Sequence, residues 1–171
     1  MSRLFILLTV LIALVARADA PASQPALAKL VGQPMKIAGT TYDGKEFSTE
    51  QLKGKVVLID FWATWCGPCV EELPHVKKVY ERYHEKGFEI VGISNDYKLD
   101  ALKKFLAAHP EYPWTQLFDP KAAKEQEWHA VTSRYGIDAL PQMFLIDKQG
   151  VCRSVNGAAD MDQMVPKLLA E

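Results

Sequence analysis

Val56-Val-Leu-Ile-Asp-Phe-Trp-Ala-Thr-Trp-Cys-Gly-Pro-Cys69 is an apolar run that ends in two cysteines separated by two residues. Val56, Val57, Leu58 and Ile59 are unbroken by charge. Such a run reads as a strand buried on both faces, in the middle of a parallel or mixed sheet. Beyond it the pattern changes: Val70, Leu73, Val76, Tyr80 and Tyr83 recur every three or four residues among Glu71, Glu72, Lys77, Lys78, Glu81 and Arg82. That spacing predicts an amphipathic helix. Cys66 therefore sits where strand becomes helix, with Cys69 in the first turn. Unpaired N–H groups and the helix dipole favour a thiolate there. A free thiol of pKa about 8.5 is only ~3% thiolate at pH 7, and a pKa of about 7 makes it half. The thiolate is the attacking species in disulfide exchange. Pro68 loses nothing by lacking an N–H at this position. Two intervening residues let Cys69 return to Cys66 and close a small ring.

Such a pair can also be a structural bridge or half of a metal site. A structural bridge usually closes a longer loop, and zinc needs about four ligands. Only Cys152, His75, His84, His109 and His129 remain, none at finger spacing. The strand–helix setting favours redox use.

Phe61-Trp-Ala-Thr-Trp-Cys-Gly-Pro-Cys69 resembles the thioredoxin active-site motif, tryptophans included. Gly54-Lys-Val-Val-Leu before it, Glu72-Leu-Pro74 after it, and Leu140-Pro-Gln-Met-Phe-Leu-Ile-Asp147 are similar to the TlpA/ResA-like extracytoplasmic thiol–disulfide oxidoreductases. The resemblance runs from about Val31 to the C-terminus. It implies that Cys66 and Cys69 are the redox couple and that Asp60 is a buried acid behind it. It also implies that Glu72 is tied to thiol reactivity. Trp65, Gly67, Pro68, Leu140 and Pro141 would form the surface that meets substrate, with the Leu140–Pro141 bond cis. Gln142 departs from the Thr common in the family.

The chain has 171 residues, 49% hydrophobic and 24% charged, with a formal net charge of −1. One domain with a sizeable core fits that length. The charge balance argues against a nucleic-acid partner. Arg3, the uncharged run Leu4–Ala16 and Ala18-Asp-Ala20 read as a signal peptide over residues 1–20. The run is short for a bilayer span of about twenty residues, so cleavage is favoured over an anchor. Residues 21–34 read as a linker and 35–171 as the domain.

Within the domain, Asp43-Gly44 predicts a hairpin between residues 36 and 47, and Ser48 with Gln51 a capping box. Phe88–Ser94 should be a second strand parallel to the first. Leu99–Ala108 should be a helix with Leu102, Phe105 and Leu106 inward, and residues 112–118 an extended stretch. Lys121–Tyr135 reads as one helical segment, 143–146 and 151–155 as a hairpin, and Met161–Leu169 as a final helix. The sum is an α/β fold, a thioredoxin-like three-layer sandwich with an N-terminal β-hairpin and a mixed central sheet.

From the residues alone, Asp60 is either a buried proton carrier or a strand-end acid facing water. Glu72 is otherwise an acid favoured by the first helical turn. Trp62 reads as core, Trp65 as exposed, His75 as a surface group. Cys152 reads as a small buried hydrophobe, against a third redox thiol or an intermolecular bridge.

The resulting expectation is a monomeric, periplasmic or otherwise extracytoplasmic protein thiol–disulfide oxidoreductase. It would reduce disulfides of exported proteins such as apocytochrome c and draw electrons from a membrane donor. No metal is called for, and no Gly-x-Gly-x-x-Gly or P-loop marks a cofactor. An oxidant or isomerase uses the same chemistry. A peroxiredoxin-like peroxidase would need a differently placed cysteine, and a copper-binding module has only Met143 beside Pro141 to suggest it.

Overall fold

The computed structural model describes residues 24–171. The expected signal peptide lies outside the described residues. Inside the stretch read as a linker, Gln24–Leu27 (α1) and a 3-10 turn at Ala28–Leu30 are helical. Leu27 is buried there with Met35 and Ile37.

A small hairpin follows, Ala38–Thr40 (β1) against Glu46–Ser48 (β2). Gly44 takes φ 90° at its turn, where a side chain would be strained. Ser48 caps the 3-10 turn Thr49–Leu52 by accepting from the Glu50 N–H; among the hydrogen bonds of the described residues there is no return bond from Gln51, so the box is half formed.

Val56–Trp62 (β3) is buried at all seven residues. Fully burying each such Val, Leu, Ile or Phe contributes about 1.5–3 kcal/mol. Gly67–Tyr83 (α2) follows at once, with Cys69, Leu73, Val76, Val79 and Tyr83 buried. A 3-10 turn, His84–Lys86, ends it at Gly87, φ 97°. The crossover returns the chain as Phe88–Ser94 (β4), parallel to β3. Leu99–Ala108 (α3) buries Leu102 and half-buries Phe105 and Leu106. Thr115–Phe118 (β5) pairs parallel with β4.

The segment expected as one helix is two: Pro120–Glu125 (α4) and Ala130–Arg134 (α5). Gln126, at φ 57°, breaks it, and its N–H bonds the Ala122 and Ala123 carbonyls in a left-handed C-cap. Gln142–Ile146 (β6) lies antiparallel to β3, and Cys152–Ser154 (β7) closes the edge. The final helix, Gly157–Ala170 (α6), starts four residues earlier than its apolar period suggests.

The five-stranded order is β5-β4-β3-β6-β7, so β3 is central. Strand alternation divides its side chains between two layers. Val56, Leu58 and Trp62 join Leu73, Val76, Met161, Val165 and both cysteines of the 66–69 pair. Val57, Ile59 and Phe61 join Ile37, Phe47, Val131 and Ile137 on the other face. Asp60, between Ile59 and Phe61, therefore points to the face that α2 covers.

Gly157 lets α6 approach the sheet closely. A Cβ there would stand 2.8 Å from Met143 Cβ and 3.1 Å from the Met143 backbone carbon. We expect Gly157→Ala to destabilise the fold by about 1–3 kcal/mol through overpacking. A urea midpoint equal to the wild type's would contradict this.

Candidate active site

Cys66 is the N-cap of α2, and its sulfur accepts the Cys69 N–H at 3.3 Å. The two are joined in a disulfide with Cα atoms 5.3 Å apart. Pro68, at the start of the helix, costs no intrahelical bond. Gly67 begins the helix with open space where a Cβ would stand. The disulfide is recessed: Cys66 is 6% exposed and Cys69 2%. Trp65, by contrast, is 51% exposed. Its ring lies parallel to that of Tyr97, with centroids 5.8 Å apart.

The turn from strand to helix is braced from the end of β4 by buried polar groups outside the Cys-x-x-Cys segment. Asp96 is buried; one carboxylate oxygen accepts from the Thr64 hydroxyl at 2.5 Å, and the other from Ser94 Oγ at 2.8 Å. The Thr64 N–H donates to the same carboxylate. Asn95 donates to the Trp62 carbonyl and accepts from the His129 N–H. The Trp62 indole N–H donates to Gln116 Oε1 at 2.9 Å inside the core. Gly92 makes room for that amide, since a Cβ there would meet Gln116 Oε1 at 2.0 Å. Ser-Asn-Asp-Tyr at 94–97 carried the signal, a polar cluster closing an apolar strand. Only the fold supplies its partners.

Asp60 is 1% exposed, and its Oδ1 has no hydrogen-bond partner. Burial pushes the carboxyl up to about 7, and the negative charge of Glu72 adds to the shift. Its carboxyl can thus take up or release a proton near neutral pH, on the face of β3 that packs against the cysteines. Glu72 stands one turn beyond Cys69 on α2. Its Oε1 meets His75 Nδ1 at 2.6 Å, while His75 Nε2 meets Asp162 Oδ2 on α6 at 3.0 Å. His75 is therefore no isolated surface group.

The Leu140–Pro141 peptide bond is cis. Leu140 packs against the cluster that contains Cys66 and Cys69. Pro141 leads into β6, and the Gln142 side-chain amide donates to the Val155 carbonyl. A cleft of about 350 Å³ opens here, lined by Ala139, Pro141, Gln142, Asn156 and Gly157 among others. Cys152 is wholly buried in the opposite layer, with the sheet between it and the disulfide. Burial pushes its thiol up to about 11, which keeps it protonated and unreactive.

Among the described residues, no group of three or more His, Cys, Asp or Glu is placed to hold a metal ion. No described helix is long and apolar enough to cross a membrane. What the site brings together is a recessed dithiol at a helix N-terminus, a buried acid behind it and an aromatic pair on the rim. That set can exchange a disulfide and relay the accompanying proton.

Comparison with known proteins agrees. A family profile described as Redoxin matches residues 12–169. The thiol-disulfide oxidoreductase ResA of Bacillus thuringiensis is 35% identical over 126 residues, which span 73% of this chain and 68% of ResA. ResA of Halalkalibacterium halodurans is 28% identical over 144 residues, 84% of this chain and 77% of the relative. The solution structure of a thiol:disulfide interchange protein from Bacteroides sp. superposes with a TM-score of 0.68 at 30% identity, covering 82% of this chain and 91% of that one. A thiol:disulfide interchange protein of the thioredoxin family from Chlorobium tepidum gives 0.62 at 28% identity, covering 89% and 99%.

Proposed function

The chain belongs to the redoxin family, as a TlpA/ResA-like thiol–disulfide oxidoreductase of the thioredoxin superfamily, and from that premise we propose that it reduces disulfides of exported proteins outside the cytoplasm. The observation that carries the reading is the Cys66–Cys69 disulfide at the start of α2, with Asp60 buried behind it.

In the reduced protein the Cys66 thiolate attacks one sulfur of a substrate disulfide. An S–S bond forms between Cys66 and substrate, and the second substrate sulfur leaves as a thiolate that takes a proton. The Cys69 thiol then gives its proton to Asp60. Its thiolate attacks Cys66 Sγ, closes the 66–69 bond and releases the first substrate sulfur, to which the proton passes. Two electrons have moved to the substrate, and a membrane donor must return them. Trp65 with Tyr97, Gly67-Pro68 and the Leu140–Pro141 backbone form the surface on which the substrate rests. Glu72 adjusts the charge around Asp60.

The leader read at residues 1–20 supports an extracytoplasmic site of action, where disulfides persist. The Gly67-Pro68 dipeptide, shared with thioredoxin, supports the reducing direction. The substrate class we favour is a Cys-x-x-Cys-His segment awaiting haem, as in apocytochrome c. The test mixes reduced protein with a peptide that carries an oxidised Cys-x-x-Cys-His segment. We expect the peptide to emerge as the dithiol while Cys66 and Cys69 become oxidised. If the peptide stays oxidised while other protein disulfides are reduced, the substrate class is wrong. If the protein instead oxidises the dithiol peptide to completion, the direction is wrong.

A further inference from the structure

We propose that His75 is a positioning residue of the redox centre, clamped between Glu72 and Asp162 so that its imidazolium offsets the Glu72 charge that acts on Asp60. This deepens the reading of the site given above and rests on it.

The geometry is a bridge between two helices. Glu72 Oε1 is 2.6 Å from Nδ1, and Asp162 Oδ2 is 3.0 Å from Nε2. A neutral imidazole carries one N–H and can donate to one of these carboxylates; the imidazolium donates to both. The two acids therefore favour the charged ring. The Glu72 hydrogen bond is the largest cause of its raised pKa; partial burial opposes it and Asp162 adds to it.

Glu72 and Asp162 are the charged groups acting on the ring. Three charges on the other elements packed on α2 have partners of their own. Glu89 of β4 is held by Lys55 and His84. In the 84–86 turn, Lys86 lies over the Tyr83 ring. On α6, Asp160 accepts from Ser154.

Asp60 lies on the face of β3 that α2 covers, where the Glu72 charge adds to the upward push of burial on its carboxyl, so whatever neutralises Glu72 also acts on Asp60. With the imidazolium in place, the field on Asp60 is less negative and its carboxyl ionises more readily. When the ring loses its proton as pH rises, the Glu72 charge acts in full and Asp60 is held protonated. A thiolate at Cys66 or Cys69 should follow the same sign. His75 thereby sets the pH at which Asp60 can accept the Cys69 proton.

The test compares reduced wild type with His75→Gln and Asp162→Asn. Two readouts are used: the pH titration of the Asp60 carboxyl, followed by carbon NMR, and the rate of Cys66 alkylation by iodoacetamide near pH 6.5. A merely structural clamp would move neither. We expect His75→Gln to raise the Asp60 midpoint by about half a unit to one unit and to slow alkylation about 3-fold to 10-fold. Asp162→Asn keeps the ring but weakens its charge, and should shift both in the same direction by less. It also preserves the test if His75→Gln folds poorly. An Asp60 midpoint and an alkylation rate unchanged in both variants would overturn the proposal. Failure of the site reading would look different: the wild type itself would then not exchange disulfides.

Discussion

Cys69→Ser will attack substrate disulfides and fail to let them go. Cys66 keeps its place as N-cap of α2 and its access to the rim beside Trp65. Without the Cys69 sulfur, nothing inside the protein can displace the bound substrate. We expect covalent complexes that survive denaturation and dissolve on adding dithiothreitol, with turnover reduced at least about 100-fold by loss of the internal resolving thiol. Cys66→Ser should form no complexes and show no turnover. The fold should survive both changes. The disulfide closes a loop with a sequence separation of only 3; chain entropy puts its stabilisation at about 2 kcal/mol, against a typical total of about 5–15. Complexes trapped through Cys69 in Cys66→Ser, and none in Cys69→Ser, would reverse the assigned roles.

Asp60→Asn should have two large effects of opposite benefit. The first is kinetic: resolution of the mixed disulfide loses its proton acceptor, and a positioned acid or base of this kind is worth about 10²–10⁴-fold. We expect resolution near pH 7 to slow by at least about 100-fold, while the initial attack by Cys66 changes far less. The second is thermodynamic. Burial holds the folded carboxyl at about 7, against an ordinary value of 3.8. A group whose pKa is raised on folding binds its proton more tightly in the folded state. Its stabilising share is therefore complete below pH 4 and lost as pH rises through 7. A shift of about three units is roughly 4 kcal/mol. Asn is never charged and escapes that loss. In urea unfolding of the oxidised proteins, the variant should match the wild type near pH 4. It should exceed it by a few kcal/mol at pH 8. A stability difference that is flat across this range would mean that Asp60 is not held neutral by burial.

The residues that made the fold legible are those whose local chemistry has one outcome. Val56–Ile59 can only be a buried strand in this context. Phe88–Ser94 and Leu99–Ala108 begin and end at the bounds their patterns predict, because Gly87 and Pro110 punctuate the pattern. Asp43-Gly44 marked the hairpin in the same way. Boundaries without such punctuation were lost. Gln126 turns left-handed with no glycine to announce it, and α6 begins in Gly157-Ala-Ala, which has no apolar period. Helix α2 buries Val79 more fully than Tyr80, whose ring instead lies at the edge beside His84 and Trp114.

At the site, Cys66 and Cys69 were visible because both stand next to a strand–helix junction in one continuous segment. Strand alternation alone left Asp60 undecided between core and water. What buries it is α2 folding back over the sheet. The Asp96–Thr64 brace joins residues 32 apart, and the His75–Asp162 contact joins residues 87 apart. No local pattern encodes either. They depend on β4 returning beside β3 and on α6 packing beside α2, so they become readable only once the topology is known.

The central claim is that Cys66–Cys69 works as a reducing couple, and its reduction potential tests this most directly. The oxidised protein would be equilibrated against glutathione or dithiothreitol and the dithiol fraction measured. We predict a value near that of thioredoxin, about −270 mV. A value near about −120 mV, that of a strong oxidant, would contradict the account. The gap of about 150 mV corresponds to about 7 kcal/mol for two electrons. In that case the fold and the two cysteines would stand, and the flow of electrons would run from substrate to protein.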